Sequence, residues 1–236
     1  MKENKIWNDY LPEDMQEHWT VYECLKESED SSTFLVKETA TGILCVLKWG
    51  RNRQAEFLRN EMEIMEKMAD RKLSGIPKTY RIFEENGEVY LVREYIEGMS
   101  LAQMVLQKGG ISEAEICRIS RKICQTAEQF QNPDEPMIHR DIKPENIVVT
   151  PGGEVVFIDF GTMRSYKKDG SRDTFVVGTR GTAAPEQYGY TQTDQRTDVY
   201  AIGQTMLYMV SESYEMNQLS ECAVSRRMKK IIEKAC

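Results

Sequence analysis

The sequence has few of the closely spaced histidines and cysteines that stabilise metal-binding or disulfide-rich domains. It contains only two histidines, His18 and His139, and its six cysteines include no Cys-x-x-Cys pair and do not cluster with the histidines. Closely spaced cysteine and histidine ligands mark zinc sites, so we do not expect one here. The cysteines are Cys24, Cys45, Cys117, Cys124, Cys222 and Cys236.

Long apolar runs are also missing. No stretch approaches the roughly 20 apolar residues of a membrane helix, and no apolar run follows a basic N-terminal start. We therefore expect a cytoplasmic, reducing setting with free thiols and no membrane segment in this chain, although an anchor beyond Cys236 stays open. The net charge of −7 disfavours nucleic acid or an anionic membrane as the main partner.

What the sequence does contain is a polar run, HRDIKPEN at residues 139–146, followed by Asp159 of an Asp-Phe-Gly triplet. Phosphoryl transfer needs an acceptor for a hydroxyl proton, cations that bridge phosphates, and positive charge beside the transferring group. Asp141 would accept or orient the hydroxyl, and Lys143 would reach the γ-phosphate. Asn146 and Asp159 would hold magnesium, which prefers hard oxygen ligands.

Two apolar segments between these motifs predict a β-hairpin. Residues 147–149 and 155–158 read as short buried strands, and the Pro-Gly-Gly sequence at residues 151–153 supplies the turn. Such a hairpin returns Asp159 to the side of Asn146, so it brings the two metal ligands together.

The order of these motifs resembles the eukaryotic-type Ser/Thr protein kinase family, in a form similar to its bacterial members. The resemblance runs from about Trp19 to the C-terminus. It implies an α+β, two-lobed protein-kinase-like fold, with an antiparallel sheet and helix C in the N-lobe and a mainly helical C-lobe. The implied organisation is a lead-in at 1–18, the N-lobe at 19–92, the hinge at 93–98 and the C-lobe at 99–236.

Local patterns refine this organisation. Strands are expected over residues 20–48, helix C over residues 54–68, and two further strands joined by an Asn-Gly hairpin turn at residues 85–88. Ser112 is a good N-cap for a C-lobe helix, and Glu115 is expected to complete a capping box.

The resemblance assigns the phosphate grip to Lys48, which ends a Cys-Val-Leu-Lys segment similar to the third-strand motif of the family. Its partner should be a helix C glutamate. Glu61 is preferred because Met65 and Met68 share its helical face, and Glu63 is the alternative.

The resemblance also assigns ATP and Mg²⁺ as cofactors and gives the adenine site. The Glu94 carbonyl and the Ile96 amide would meet adenine, with Val46 above the ring and Val148 below it. Leu25 belongs to the same nucleotide-binding set. Apolar walls around a few backbone groups are normal for such pockets.

Residues near the activation segment predict regulation. Thr174, with Ser171 as an alternative, is the expected phosphate acceptor, and Arg140 is the residue that would contact the phosphate. Thr179 is instead expected to contact Asp141 and its neighbouring lysine, as a determinant of the substrate class.

The end of the chain raises a separate question about pairing. Asp198 resembles the helix F aspartate that anchors the catalytic loop, and residues 228–236 resemble helix H, so the C-lobe is apparently truncated after that helix. The arginine that normally pairs with Glu186 would follow. Either the chain is part of a longer protein, or Arg226 or Arg227 substitutes.

The phosphate loop departs from the family pattern. Lys26, Ser28 and Ser31 stand where the three glycines belong, although glycine is what lets backbone amides approach a phosphate closely. Three acids of the same loop should also repel nucleotide phosphates unless they point outward; these are Glu27, Glu29 and Asp30. We expect weakened ATP affinity.

Arg93 is the second departure, because the family places an apolar or small residue before the hinge. Burying an unpaired guanidinium is costly, so Arg93 should find Glu61 or Asp159 or bend out of the pocket. If it takes Glu61, Lys48 loses its partner and helix C settles in an inactive position.

Three functions follow as alternatives. The first is a Ser/Thr protein kinase that phosphorylates a protein hydroxyl, and the second is a pseudokinase that binds partners with weak or no nucleotide turnover. The third is a small-molecule kinase similar to aminoglycoside or choline kinases. Lys143 and the Ala-Pro-Glu sequence ending at Glu186 argue against the third, because they belong to protein-phosphorylating members.

Overall fold

The computed structural model describes residues 11–69, 71, 73–131, 135–166, 178–179, 181–188 and 192–236. The chain divides into two compact units, Met1–Lys67 with Pro77–Tyr95, and Met68–Ile76 with Ile96–Cys236. The boundary at Tyr95 lies within the predicted hinge, but residues 68–76 group with the second unit and not with the predicted N-lobe.

The first unit begins with a short helix that is part of its core. Helix α1, Glu13–Gln16, follows Pro12, and both Leu11 and Met15 are buried against Trp19 and its neighbours. Burial of these side chains removes apolar area from water and stabilises the unit. The segment predicted as a lead-in therefore contributes to the fold from Leu11 onwards.

An antiparallel sheet in the order β1-β2-β3-β5-β4 forms the body of this unit. The register of β2 with β3 places Thr33 opposite Lys48, and that of β3 with β5 places Lys48 opposite Leu91. The strands are β1 Trp19–Glu27, β2 Ser31–Glu38, β3 Leu44–Gly50, β4 Thr79–Glu85 and β5 Glu88–Glu94.

The predicted Asn-Gly turn joins β4 to β5. Asn86 and Gly87 both have positive φ, 50° and 83°, and the flanking Glu85 and Glu88 are paired. Two left-handed residues are what a tight hairpin requires, and asparagine and glycine adopt them most readily.

Helix α2, Arg53–Ala69, matches the predicted helix C within a residue at each end. Its apolar face packs on β5, where Ala55 and Leu58 contact the buried cluster that includes Val89 and Leu91. Glu61 lies on the buried part of this helix and is 1% exposed.

The second unit is mainly helical. Its strands form a three-stranded sheet, β6-β8-β9, and a two-stranded pair, β7 with β10. No helix in the described part of the chain is long and apolar enough to cross a membrane. The elements are β6 Met99–Ser100, α3 Leu101–Lys108, α4 Glu113–Glu128, β7 Met137–Ile138, β8 Ile147–Val149, β9 Val155–Phe157, β10 Arg164–Ser165, α5 Gln195–Ser211 and α6 Arg226–Ala235, with short 3₁₀ helices at Pro144–Asn146, Pro185–Tyr188 and Met216–Ser220.

Gly98 is required where the chain crosses β8. Its φ is 153°, and a Cβ at this position would lie 2.4 Å from the Val149 carbonyl oxygen. Only a residue without a side chain permits that approach. The contact lets β6 pair with β8, where Met99 lies opposite Val149.

The capping prediction was half right. The Ser112 hydroxyl does accept the Glu115 amide at 3.3 Å at the start of α4, but the Glu115 carboxylate pairs with Lys108 at 2.8 Å and not with the Ser112 amide. A full capping box instead starts α3, between Ser100 and Gln103. At α4 the Glu115 carboxylate pairs with Lys108 because a hydrogen bond from a charged ammonium group is stronger than one from a neutral backbone amide.

Candidate active site

Four side chains of the second unit form one polar cluster around Asp141. Its carboxylate accepts hydrogen bonds from Lys143 Nζ at 2.8 Å, Asn146 Nδ2 at 2.8 Å and Thr179 Oγ1 at 2.9 Å. Lys143 Nζ also donates to Thr179 Oγ1 at 2.6 Å. The expected contacts of Thr179 are therefore present, and they tie it to both the acid and the lysine.

Asp198 holds the backbone of the loop that carries this cluster. Its carboxylate, on α5, accepts the amides of His139 and Arg140, each at 2.9 Å, as the sequence predicted. Burial raises the pKa of Asp198 to about 6, against the effect of those two amides, which favour the ionised carboxylate.

Arg140 adopts an unusual backbone conformation at this anchor. Its φ is 67°, which is uncommon for a residue with a side chain and requires support from its surroundings. The Gln187 side chain donates to the Arg140 carbonyl at 2.7 Å, and Arg140 Nε donates to the Thr162 carbonyl at 2.6 Å. Gln187 could not be predicted from the sequence, because nothing in its spacing marks it as the partner of a backbone carbonyl.

His139 has a packing role. Its ring contacts Phe130, Phe157 and Phe160, with ring centroids 6.1, 5.3 and 5.3 Å away. Burial lowers the pKa of His139 to about 4, so its imidazole is neutral near pH 7. We infer that it orders the loop through apolar contact.

The β8–β9 hairpin brings Asn146 and Asp159 together, as predicted. The Ile158 amide donates to the Asn146 backbone carbonyl at 3.0 Å, and Asp159 follows directly. The Asn146 side-chain nitrogen donates to Asp141, so its amide oxygen is not used in that contact. A carboxylate and an amide oxygen are ligands that suit magnesium, which takes one or two protein ligands and completes its shell with water and phosphate.

Lys48 and Glu61 form a buried ion pair in the first unit. Lys48 Nζ lies 2.7 and 3.1 Å from the two Glu61 carboxylate oxygens, and the residues are 9% and 1% exposed. Glu63, the alternative, points to solvent. The helical spacing on α2 therefore selected the right glutamate.

Arg93 does not displace Lys48 from Glu61, so the arrangement in which Lys48 loses its partner is not observed. The register of β3 with β5 places Leu91 opposite Lys48 and Arg93 opposite Val46, two pairs further along. Lys48 thus reaches both carboxylate oxygens from its own position. Arg93 itself is 4% exposed, so it does not bend out to solvent.

The predicted adenine residues lie in both units. Leu25 on β1 is 47% exposed, whereas Val46 on β3 is 5% exposed. Val148 is buried on β8, and Ile96 is the first residue of the Ile96–Cys236 segment of the second unit. The Glu94 amide donates to the Lys78 carbonyl at 2.8 Å, which fixes the end of β5.

Asp30, one of the three acids of the β1–β2 turn, has hydrogen-bond donors within the fold. Asp30 accepts hydrogen bonds from Arg51 Nε at 2.9 Å and Asn52 Nδ2 at 3.1 Å, so its charge is compensated within the fold. The expectation of three acids facing a nucleotide unopposed is therefore wrong for Asp30. The partner was missed because Arg51 lies beyond β3, far along the sequence.

Glu186 has a different partner from the one expected. Its carboxylate accepts a hydrogen bond from Thr197 Oγ1 at 2.7 Å. Among the described residues, neither Arg226 nor Arg227 forms an ion pair with it, so the proposed substitution was wrong. Ser171 and Thr174 lie outside the described residues.

Comparison with known proteins agrees with the fold. The protein kinase domain family model matches residues 20–235, so the chain belongs to that family. Within it, the chain is similar to bacterial members of the eukaryotic-type Ser/Thr class.

Three curated relatives illustrate that similarity. Serine/threonine-protein kinase D of Synechocystis is 32% identical over 66% of this chain and 31% of its own length. A probable serine/threonine-protein kinase of Clostridium perfringens is 35% identical over 62% and 21%. Probable serine/threonine-protein kinase PknB of Corynebacterium glutamicum is 29% identical over 66% and 24%. The chain thus spans about a third or less of the length of each of these three relatives.

Proposed function

We propose that this chain is a catalytically active Ser/Thr protein kinase that transfers the γ-phosphoryl group of ATP to a hydroxyl of a protein. The observation that carries the proposal is the polar cluster in which Lys143, Asn146 and Thr179 all bond to Asp141. Phosphoryl transfer needs an acid, a cation and a metal ligand close together, and this cluster supports the proposal because it brings candidates for those three roles into contact.

The proposed step is an in-line displacement. The acceptor hydroxyl oxygen forms a bond to the γ-phosphorus as the bond from that phosphorus to the β–γ bridging oxygen breaks. The hydroxyl proton passes to the Asp141 carboxylate, and ADP leaves with the electron pair of the broken bond. Lys143 stabilises the negative charge on the transferring group from beside Asp141.

Two further groups support the nucleotide side of this reaction. Asn146 and Asp159 would hold magnesium, which supplies positive charge to the phosphates when bound. Lys48, held by Glu61, would contact the α- and β-phosphates. Because Glu61 accepts both hydrogen bonds from Lys48, the ammonium group is fixed before any nucleotide binds.

Thr179 favours a protein acceptor over a small molecule. It belongs to the segment before the Ala-Pro-Glu sequence, and its hydroxyl lies between Lys143 and Asp141. A side chain from that segment beside the reacting groups is a means of positioning an extended acceptor. Serine should be able to replace threonine here, whereas valine should not.

The test is transfer of radiolabelled phosphate from ATP to a generic basic protein, in the presence of magnesium. Asp141→Asn is the control, because it keeps the side-chain shape but removes the proton acceptor. We expect incorporation on serine or threonine that falls by about a thousandfold in the variant. Equal incorporation by both folded proteins would overturn the proposal.

The second candidate is a pseudokinase, which the glycine-free turn and buried Arg93 favour. It predicts that a fluorescent ATP analogue binds while transfer stays at the level of the Asp141→Asn variant. The same two samples therefore discriminate between the candidates.

A further inference from the structure

The β1–β2 turn is tied to the end of the strand that carries Lys48 mainly through Arg51, which directly follows β3. Its Nε donates to Asp30 Oδ1 at 2.9 Å, and its Nη2 donates to the Glu29 carbonyl at 3.0 Å. The Arg51 backbone amide also donates to the Asp30 carbonyl, at 3.0 Å. Three contacts from one residue fix the tip of the turn.

Neighbouring groups reinforce this attachment. Asn52, in a left-handed conformation with φ of 53°, donates its side-chain amide to the same Asp30 oxygen at 3.1 Å. Within the turn, the Ser28 amide and hydroxyl both donate to the Ser31 carbonyl, at 2.8 and 2.9 Å. The turn thus has a specific folded conformation without glycine.

Arg51 also connects two elements of the nucleotide-binding set. It follows β3 three positions after Lys48, and its carbonyl accepts the Gln54 amide at 3.0 Å, where α2 begins. The same helix carries Glu61. The turn, the lysine strand and the glutamate helix therefore meet at one residue.

We propose that Arg51 is a positioning residue for nucleotide phosphates, holding the glycine-free β1–β2 turn in the conformation that ATP requires. This inference rests on the proposed function and on the family resemblance, which assigns that turn to the nucleotide phosphates. A glycine-rich loop adapts to the phosphates by changing its backbone, whereas this turn must be held in place beforehand.

Arg51→Ala should raise the KM for ATP by about fivefold and change kcat by less than about twofold, because the lost contacts are half exposed. The matched control is Arg59→Ala. It breaks the Arg59–Glu84 pair of the same unit, which has similar exposure and a contact of 2.8 Å, close to the 2.9 Å of the Arg51–Asp30 pair. An equal rise in both variants, or no rise in Arg51→Ala, would overturn the proposal.

A second variant separates positioning from simple charge. Arg51→Ala leaves the Asp30 carboxylate without its cation, and that alone could repel phosphate. In Arg51→Ala combined with Asp30→Asn the extra charge is gone, but the turn is still released. The KM should stay raised by at least about threefold, whereas full recovery would show a charge effect only and overturn the positioning role.

Two measurements keep this test independent of turnover. Amide hydrogen exchange at residues 27–31, without nucleotide, should accelerate in Arg51→Ala and not in Arg59→Ala. Titration with a fluorescent ATP analogue should show the same weakening as the KM. If the wild-type chain transfers no phosphate, the proposed function fails, but an unchanged affinity in Arg51→Ala is what would remove the role of Arg51.

Discussion

The catalytic loop at residues 139–146 and the β1–β2 turn at residues 27–31 are held in place by different means. In the loop, a buried carboxylate from α5 takes two backbone amides, and the polar side chains bond mainly to one another. In the turn, the main attachment is the pair of Arg51 and Asp30, each with a side chain 43% exposed. One region is fixed from inside the protein and the other from its surface.

This difference indicates where each region should tolerate change. Buried hydrogen-bonded groups lose much free energy when a partner is removed, because water does not replace it. Exposed ion pairs are worth less, since water and salt compete for both partners. Mutations in the catalytic loop should therefore reduce kcat strongly, whereas mutations in the β1–β2 turn should change the KM for ATP only moderately.

After Asp141, the largest effect is expected at Lys143. Lys143→Ala removes the cation that bonds Asp141 and Thr179, and kcat should fall by about a hundredfold or more. The KM for ATP should change little, because Lys143 acts on the transferring group. Steady-state kinetics with varied ATP checks this, and a rise in KM with unchanged kcat would show that the lysine only binds nucleotide.

A smaller effect, on stability, is expected at Asp198. Asp198→Ala leaves the buried amides of His139 and Arg140 without an acceptor, so the free energy of unfolding should fall by about 3 kcal/mol. Urea denaturation measures it. Asp194→Ala is the control at the start of the same helix. The Asp194 side chain caps α5 by accepting the Arg196 amide, and this exposed contact should contribute only about 1 kcal/mol to stability. Similar losses in both variants would contradict the contrast between buried and exposed anchors.

The smallest effect is expected within the turn itself. Ser28→Ala removes the hydroxyl contacts to Ser31, which are exposed, and the free energy of unfolding should change by less than about 0.5 kcal/mol. The KM for ATP should rise by less than about twofold, clearly below the effect of Arg51→Ala. A larger effect from Ser28 would mean that the serine hydroxyls, and not Arg51, hold the turn.

The contacts that could be predicted from the sequence are those set by local spacing. Helical periodicity on α2 chose Glu61, and the Pro-Gly-Gly turn predicted the hairpin that brings Asn146 to Asp159. The family resemblance supplied Asp198 as an anchor, and the structure places it on the loop backbone. Short periodicities and ordered motifs carry that information directly.

The errors concern charged side chains that choose among several partners. Asp30 pairs with Arg51, Glu115 pairs with Lys108, and Glu186 accepts a hydrogen bond from Thr197. The partner of a charged group depends on strand register and on which long side chains lie within reach of it in the folded protein. Spacing along the chain does not encode either. The packing of Leu11 and Met15 was missed for a related reason, because a four-residue helix gives no periodic signal.

The most direct test of the account is an ATP titration of the transfer reaction by the purified wild-type chain, with Asp141→Asn alongside. The account predicts saturable turnover that requires Asp141, with half-saturation only at high, roughly millimolar, ATP because the turn lacks glycine. Tight ATP binding with no turnover above that of the Asp141→Asn variant would contradict the account. Such a result would mean that the chain binds ATP well but does not transfer phosphate.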